Sequence, residues 1–337
     1  MAWEEPRKTG MLYRRVGNSG LHVSALALGG WLTYAGGQSE IVMGLAIKKY
    51  KWKRNDIVIS TKLNWGGANG EVLVNNHGLS RKHIIEGLQA SLGRLDLKYV
   101  DIVYAHRPDR LTPMEETVRA FNYVIENGMA FYWGTSEWSA DEIAEACGIA
   151  KELRMVAPIV EQPLYNILDR KKVEGEFQRL YKRCGLGLTT FSPLKMGLLS
   201  GKYNDALDGP PAGSRFSESK DTFADFMREN YGNEEWKENV AKVAKLKVCR
   251  AALEIISTAN IMQPIAENLG VTQAQLALAW CLKNENVSSV ITGASRPEQV
   301  IENVKCLEVL EKLTPEILGE IDRVMGNKPA LDPARQD

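Results

Sequence analysis

Val23-Ser24-Ala25-Leu26-Ala27-Leu28-Gly29-Gly30-Trp31 decides the architecture. It is a short apolar run closed by two glycines, which is the form of a buried parallel strand and its turn. An open dinucleotide-binding sheet carries GxGxxG directly after such a strand. Gly29-Gly30-Trp31 breaks that spacing, and no other stretch of the chain supplies the fingerprint. Working outward, six further apolar runs follow at Ile57–Thr61, Val100–Ala105, Ala130–Gly134, Ala157–Glu161, Leu186–Phe191 and Val287–Thr292. Between them lie amphipathic segments such as Arg81–Leu95, capped by Ser80, and Ala140–Leu153, capped by Ser139. Ahead of them, Leu12–Val16 and Leu21-His22-Val23 flank the turn Gly17-Asn18-Ser19-Gly20, which predicts a hairpin. Strand and helix alternate with no linker or composition break. The reading is one α/β domain over residues 1–337, a TIM-type (β/α)8 barrel with an N-terminal hairpin. Seven strands are counted where a closed barrel uses eight.

Composition narrows the function. Lysine plus arginine equal aspartate plus glutamate at 42 each, so no global field recruits nucleic acid or an acidic membrane. Five cysteines, Cys147, Cys184, Cys249, Cys281 and Cys306, show no CxxC spacing, which argues against a metal site or a disulfide framework and for a reducing, cytoplasmic setting. No apolar stretch reaches the roughly 18 residues of a membrane span.

In a barrel of this kind the chemistry sits at the C-terminal strand ends. The polar residues closing the apolar runs are Trp31, Lys62, His106, Ser136, Gln162, Ser192 and Gly293 to Ser295. A lysine at a strand end either reaches solvent or lowers the pKa of a neighbouring acid. His106 is either structural or a partner of Lys62. Val290-Ile291-Thr292-Gly293-Ala294-Ser295-Arg296-Pro297-Glu298-Gln299 is a strand, a glycine turn and a helix start, suited to a phosphate or to ordinary capping.

These residues bring a family into view. The sequence resembles the aldo-keto reductases, and within them the branch of voltage-gated potassium-channel β subunits and their fungal relatives. The likeness covers nearly the whole chain and rests on Tyr13-Arg14-Arg15-Val16-Gly17, Ser60-Thr61-Lys62, His106-Arg107-Pro108-Asp109, Gly134-Thr135-Ser136, Glu161-Gln162-Pro163, Phe191-Ser192-Pro193-Leu194 and Gly293 through Gln299. The resemblance implies an NADPH-dependent reductase of aldehydes and ketones with the cofactor extended across the strand ends. It implies that Trp31 is among the cofactor-binding residues, that Ser136 and Gln162 contact the nicotinamide carboxamide while Phe191 stacks on its ring, and that Ser192, Leu194, Lys202 and Arg215 follow the pyrophosphate. Gly293, Ser295, Arg296, Gln299, Glu302 and Asn303 would hold the adenosine and its 2′-phosphate. Family catalysis uses a tyrosine acid, a lysine, an aspartate and a histidine; Lys62 and His106 match the lysine and the histidine. No metal is implied. The branch also implies a small carbonyl substrate, a channel cytoplasmic domain as partner and a homotetramer. Only about ten residues precede the hairpin, so the long N-terminal segment of some animal members is not expected.

Two departures stand out. The family block resembling Asp-Thr-Ala-Glu-x-Tyr, which ends the second barrel strand, is absent. Gly29 through Tyr34 runs straight into Ala35-Gly36-Gly37-Gln38, so residues 35–38 mark the join of a deletion of one βα unit, the second strand and the first helix. Tyr34 stands at the join and aligns with the tyrosine of either block. Residues 248–263 read as an insertion. Val248 has codons beginning GT, Gln263 can be CAG, and Ala259-Asn260 can be GCTAAC with its CTAAC branch point, the marks of a translated short intron. Two functions follow: a reductase with impaired activity, or a channel-regulating NADPH-binding protein with little catalysis.

Overall fold

The computed structural model describes residues 10–30, 37–204, 210–212, 214, 217, 231–246 and 265–331. Trp31, Tyr34, Arg215 and the segment 248–263 lie outside the described residues, as do residues 35 and 36 of the join. Contacts divide the chain into two compact units, the first holding every strand.

In the first unit, β1 (Tyr13–Arg15) pairs antiparallel with β2 (His22–Ser24) as the turn chemistry predicts. Gly17 takes φ 52°, and a Cβ there would lie 2.2 Å from the Gly185 carbonyl oxygen, so the turn can press on the chain only because it has no side chain. Val16 and Val23 of the hairpin pack with Ile102, Tyr104 and Val160, which gives the sheet a dry apolar plug.

Seven strands follow: β3 (Leu26–Leu28), β4 (Ser60–Leu63), β5 (Val100–Ala105), β6 (Ala130–Thr135), β7 (Val160–Glu161), β8 (Gly187–Thr190) and β9 (Val287–Thr292). They form one parallel sheet in the order β3-β9-β8-β7-β6-β5-β4. Five helices of this unit are α1 (Gln38–Tyr50), α2 (Arg81–Leu95), α3 (Met114–Glu126), α4 (Ala140–Glu152) and α5 (Gln178–Cys184), each packed on the next. Ser80 caps α2 through the His83 N–H, and Ser139 and Glu142 close a capping box on α4. Between sheet and helices, Trp133 stacks on Phe121 at 4.8 Å and donates to the Val156 carbonyl at 2.7 Å.

The strand bounds differ from the sequence reading for physical reasons. The first run splits, because Ala25 N–H bonds Leu12 O and leaves Val23 in the hairpin and only Leu26–Leu28 in the sheet. The Ile59 N–H is taken by the Asp101 carboxylate at 2.7 Å, itself paired with Arg54 at 2.8 Å, so β4 begins at Ser60 and includes Lys62. Pro158 and Pro163 cannot donate to a ladder, and β7 shrinks to two residues between them.

β3 pairs only with β9 and β4 only with β5, so both are edges of the sheet among the described residues. Leu28 on β3 and Val42 and Leu45 on α1 are exposed. On its other side α1 is tightly seated: a Cβ on Gly44 would lie 2.3 Å from Leu95 O.

The second unit is helical. Gln273–Lys283 is buried along almost its whole length, and Thr272 with Gln275 forms its capping box. Arg170 pairs with Asp322 at 2.7 Å and lies over the Trp280 ring, tying Pro315–Met325 into this unit.

Candidate active site

Within the first unit, the parallel ladder continues past the ends of its strands. His106 N–H bonds Leu63 O at 2.9 Å, Ser136 N–H bonds Ala105 O at 2.9 Å, Gln162 N–H bonds Thr135 O at 2.8 Å and Phe191 N–H bonds Pro163 O at 3.1 Å. Each residue just beyond a strand is thereby fixed beside the end of its neighbour. The expected row of His106, Ser136, Gln162 and Phe191 is brought together, with Lys62 inside β4 opposite Tyr104. Gly134 is obligatory here, since a Cβ would lie 2.5 Å from Val160 Cγ1 and from Val160 O.

The side chains in the row are locked by partners. Ser136 Oγ donates to Gln162 O at 2.9 Å. Gln162 Nε2 donates to Thr189 Oγ1 at 3.4 Å, and the Tyr104 hydroxyl meets the same oxygen at 2.9 Å. Burial raises the Tyr104 pKa far above the usual phenol value, so this tyrosine stays a neutral strut. Tyr104 and Thr189 lay inside apolar runs, and no sequence signal set them apart from core residues.

Lys62 and His106 carry the titratable chemistry. Lys62 is half-buried, and desolvation followed by the nearby Arg107 charge lowers its pKa to about 8. It has no carboxylate within ion-pair distance among the described residues. Glu40 on α1 reaches β4 beside it: it accepts from Thr61 Oγ1 and pairs with Arg94 at 2.6 Å. His106 is lowered to about 3 by desolvation, then by the charges of Lys62 and Arg107, and its ring meets Trp65 edge-on at 6.2 Å. At neutral pH it is an uncharged imidazole that can orient an oxygen and cannot act as a strong acid.

The lowered Lys62 pKa has a stability consequence. Between about pH 8 and 10.5 the unfolded chain binds more protons than the folded one, so stability rises with pH through that window, and below it the cost of the charge is complete. Lys62→Met is expected to raise stability at pH 7 by on the order of 1 kcal/mol after solvent screening, with the gain closing towards pH 10.5. Chemical denaturation at pH 7 and pH 10 checks this, and an equal gain at both would contradict it.

Two acids were not foreseen as a unit. Glu161 is wholly buried; its pKa is raised to about 8 by desolvation, against the Thr135 hydroxyl and Lys172, while Glu137 raises it further. Glu161 Oε2 accepts from Thr135, and Oε1 has no partner. Glu137, at φ 60°, accepts from Leu164 N–H at 2.7 Å and lies 3.6 Å from Lys172 Nζ, which gives it a structural role at the end of β7.

The remaining expected residues are distributed as follows. Gly293 and Ser295 are exposed after β9. In the second unit, Ser192 takes φ 55° and its carbonyl accepts from Asn166 Nδ2 at 3.1 Å. Leu194 is half-buried and caps the turn Lys195–Ser200, and Lys202 is exposed with its ammonium 4.9 Å from the Tyr203 ring. Arg296 is exposed and is the N-cap of Pro297–Val304 with no side-chain cap bond; its carbonyl accepts from the Gln299 N–H at 3.2 Å. Gln299 is half-buried and Asn303 buried in that helix. Glu302 accepts from Gln275 Nε2 at 2.7 Å and pairs with Lys305 at 3.2 Å. As a donor set within the first unit, an amide at Gln162 and a half-buried aromatic face at Phe191 fit a nicotinamide ring and its carboxamide. Among the described residues there is no cluster of metal-ligating side chains and no helix long and apolar enough to cross a membrane.

Residues 32–325 match the sequence profile described as the Aldo/keto reductase family. A protein of Oryza sativa subsp. japonica named "Probable voltage-gated potassium channel subunit beta" is 47% identical over 349 aligned positions, covering 95% of this chain and 98% of the relative. Its namesake in Arabidopsis thaliana is 48% identical over 349 positions with the same coverage. Both alignments are longer than the 337-residue chain, so each includes residues of the relative with no counterpart here.

Proposed function

We propose that this chain, which belongs to the aldo/keto reductase family, binds NADP(H) through its strand-end row and reduces aldehyde or ketone carbonyls weakly, because the proton-donating half of the site is absent. One observation carries the reading: the row at His106, Ser136, Gln162 and Phe191 is complete, while Lys62 beside it has no carboxylate partner among the described residues.

When bound, the reduced nicotinamide supplies a hydride. The chain's own residues do the rest. Gln162, held by Thr189, offers its amide to the carboxamide, and Phe191 offers a ring face for stacking. In the second unit, the exposed Arg296 guanidinium at the start of the helix Pro297–Val304 suits the 2′-phosphate. Neutral His106 orients the carbonyl oxygen, and the Lys62 cation favours the negative charge that develops on it. Neither delivers a proton as the family's tyrosine does.

The deletion at residues 35–38 belongs to the same proposal. It is supported by the edges at β3 and β4, which flank the gap in strand order, by the exposed Leu28, Val42 and Leu45, and by alignments longer than the chain. The insertion at 248–263 stays a proposal from sequence.

A cofactor that binds only the folded state raises the melting midpoint by mass action, by about 2.7 kcal/mol of stability at a hundred times its dissociation constant. We expect NADPH to raise the midpoint by several degrees, and no shift at millimolar NADPH would overturn the reading. The relatives' printed name supports a second reading, a potassium-channel subunit, to which the proposed cofactor would add sensing of nicotinamide redox state. Co-purification with a potassium-channel cytoplasmic domain as a four-fold assembly favours it, and a monomer indifferent to that domain removes it.

A further inference from the structure

Lys48-Lys49-Tyr50-Lys51-Trp52-Lys53-Arg54 carries the chain from the end of α1 towards β4 and takes no part in the strand-end row. A helix linking two strands of a parallel sheet runs back against them, so this segment lies at the N-terminal end of the strands, away from the row. Its backbone is pinned. Trp52 N–H bonds Ile47 O at 3.2 Å, Lys51 turns the chain at φ 52°, and Arg54 is drawn inward, paired with Asp101 at 2.8 Å and laid over the Tyr99 ring at 3.9 Å. The side chains left outside are chemically mixed. Tyr50 stacks on Trp52 at 5.7 Å with both rings exposed, and Phe131, packed on Tyr99 at 4.7 Å, adds a third exposed ring. Lys49, Lys51 and Lys53 are exposed and pair with no carboxylate among the described residues. Lys48 meets Asp96 at 3.8 Å in open solvent, where such a pair contributes little, and Asp56 is the one acid of residues 48–56. The face continues along α1, where Val42, Leu45 and Lys49 fall at i, i+3 and i+7 and all three are exposed.

From this surface we propose that the first unit docks on an anionic lipid bilayer, with Lys49, Lys51 and Lys53 on the charged headgroups, Tyr50 and Trp52 at the interface, and Val42 and Leu45 against the acyl boundary. The attraction is local, because charge balances over the whole chain and supplies no long-range field. A cation brought to an anionic membrane surface favours the bound state roughly fivefold. Rings with an apolar body and a polar edge settle at headgroup level, and exposed aliphatic side chains of a surface helix add buried apolar area. The aliphatic pair decides between lipid and single-stranded nucleic acid. Bases could stack on Tyr50 and Trp52 and phosphates could meet the lysines, but a nucleic acid has no use for Val42 and Leu45. Docked by this end, the unit keeps its strand-end row turned away from the bilayer and open to small molecules.

The test sediments the full chain with phosphatidylcholine vesicles containing about one-third phosphatidylserine, and with pure phosphatidylcholine vesicles, across a series of salt concentrations. Partitioning onto the anionic vesicles is expected to exceed that onto the neutral ones by roughly tenfold or more and to fall as salt rises. Lys49→Gln, Lys51→Asn and Lys53→Gln together should weaken it by about a hundredfold. These positions are exposed and asparagine accepts the left-handed backbone of residue 51, so an unchanged melting midpoint is expected to accompany the loss. Val42→Gln with Leu45→Gln should weaken binding several-fold at unaltered charge. Equal partitioning onto both kinds of vesicle, or a triple variant that binds like the wild type, would overturn the proposal. Tighter binding to poly-deoxythymidine than to the anionic vesicles would overturn it too, by assigning the surface to nucleic acid.

Discussion

Inserting between Tyr34 and Ala35 a βα unit that ends in Asp-Thr-Ala-Glu-x-Tyr should raise turnover of an aromatic aldehyde by about a hundred- to ten-thousand-fold, the usual contribution of a positioned general acid. Three effects combine. The tyrosine supplies the proton that neutral His106 cannot. The aspartate gives Lys62 the anionic partner it lacks among the described residues, which lifts a pKa now lowered to about 8 and keeps the lysine charged beside the developing alkoxide. The strand closes on the exposed edges of β3 and β4, removing two unpaired backbones. A cooperative melt of the grafted protein verifies that it folds. If the folded graft turns over the aldehyde no faster than the present chain, the missing unit is not what limits activity.

Glu161→Gln should stabilise the protein at pH 8 by about 2–4 kcal/mol and leave it nearly unchanged at pH 4.5. Burial raises the Glu161 pKa to about 8, above the ordinary 4.5, despite the Thr135 hydroxyl and Lys172. Between those values the folded chain holds a proton that the unfolded chain has released. Wild-type stability therefore falls as pH rises through that window. Glutamine reproduces the protonated acid in size and hydrogen bonding and never ionises, so it escapes the loss. Denaturation at pH 5 and pH 8 reads the difference; a gap of the same size at both would mean that Glu161 does not titrate in this range.

Much of this was legible before the structure. Arg81–Leu95 and the Ser139 cap follow from apolar spacing and capping chemistry, and the helix and its capping box form where these signals lie. His106, Ser136, Gln162 and Phe191 announce themselves as residues that end apolar runs, because in a parallel sheet the ladder itself fixes what comes next. Other features escaped because they depend on contacts far apart in the chain. The late start of β4 needs the Asp101 carboxylate, 42 positions away from Ile59. The orientation of Gln162 depends on Thr189 and, through it, Tyr104, residues that are apolar-run members by every local measure.

The central claim is that the cofactor-holding row is present and proton delivery is not. Stopped-flow fluorescence of NADPH, first bound to the chain and then mixed with an aromatic aldehyde, reads both in one trace. A binding-enhanced signal should form and then persist at least a hundred times longer than in the chain carrying the inserted βα unit. Loss of the enhanced signal at the rate of the chain with the inserted unit would contradict the claim, and so would the absence of any enhancement.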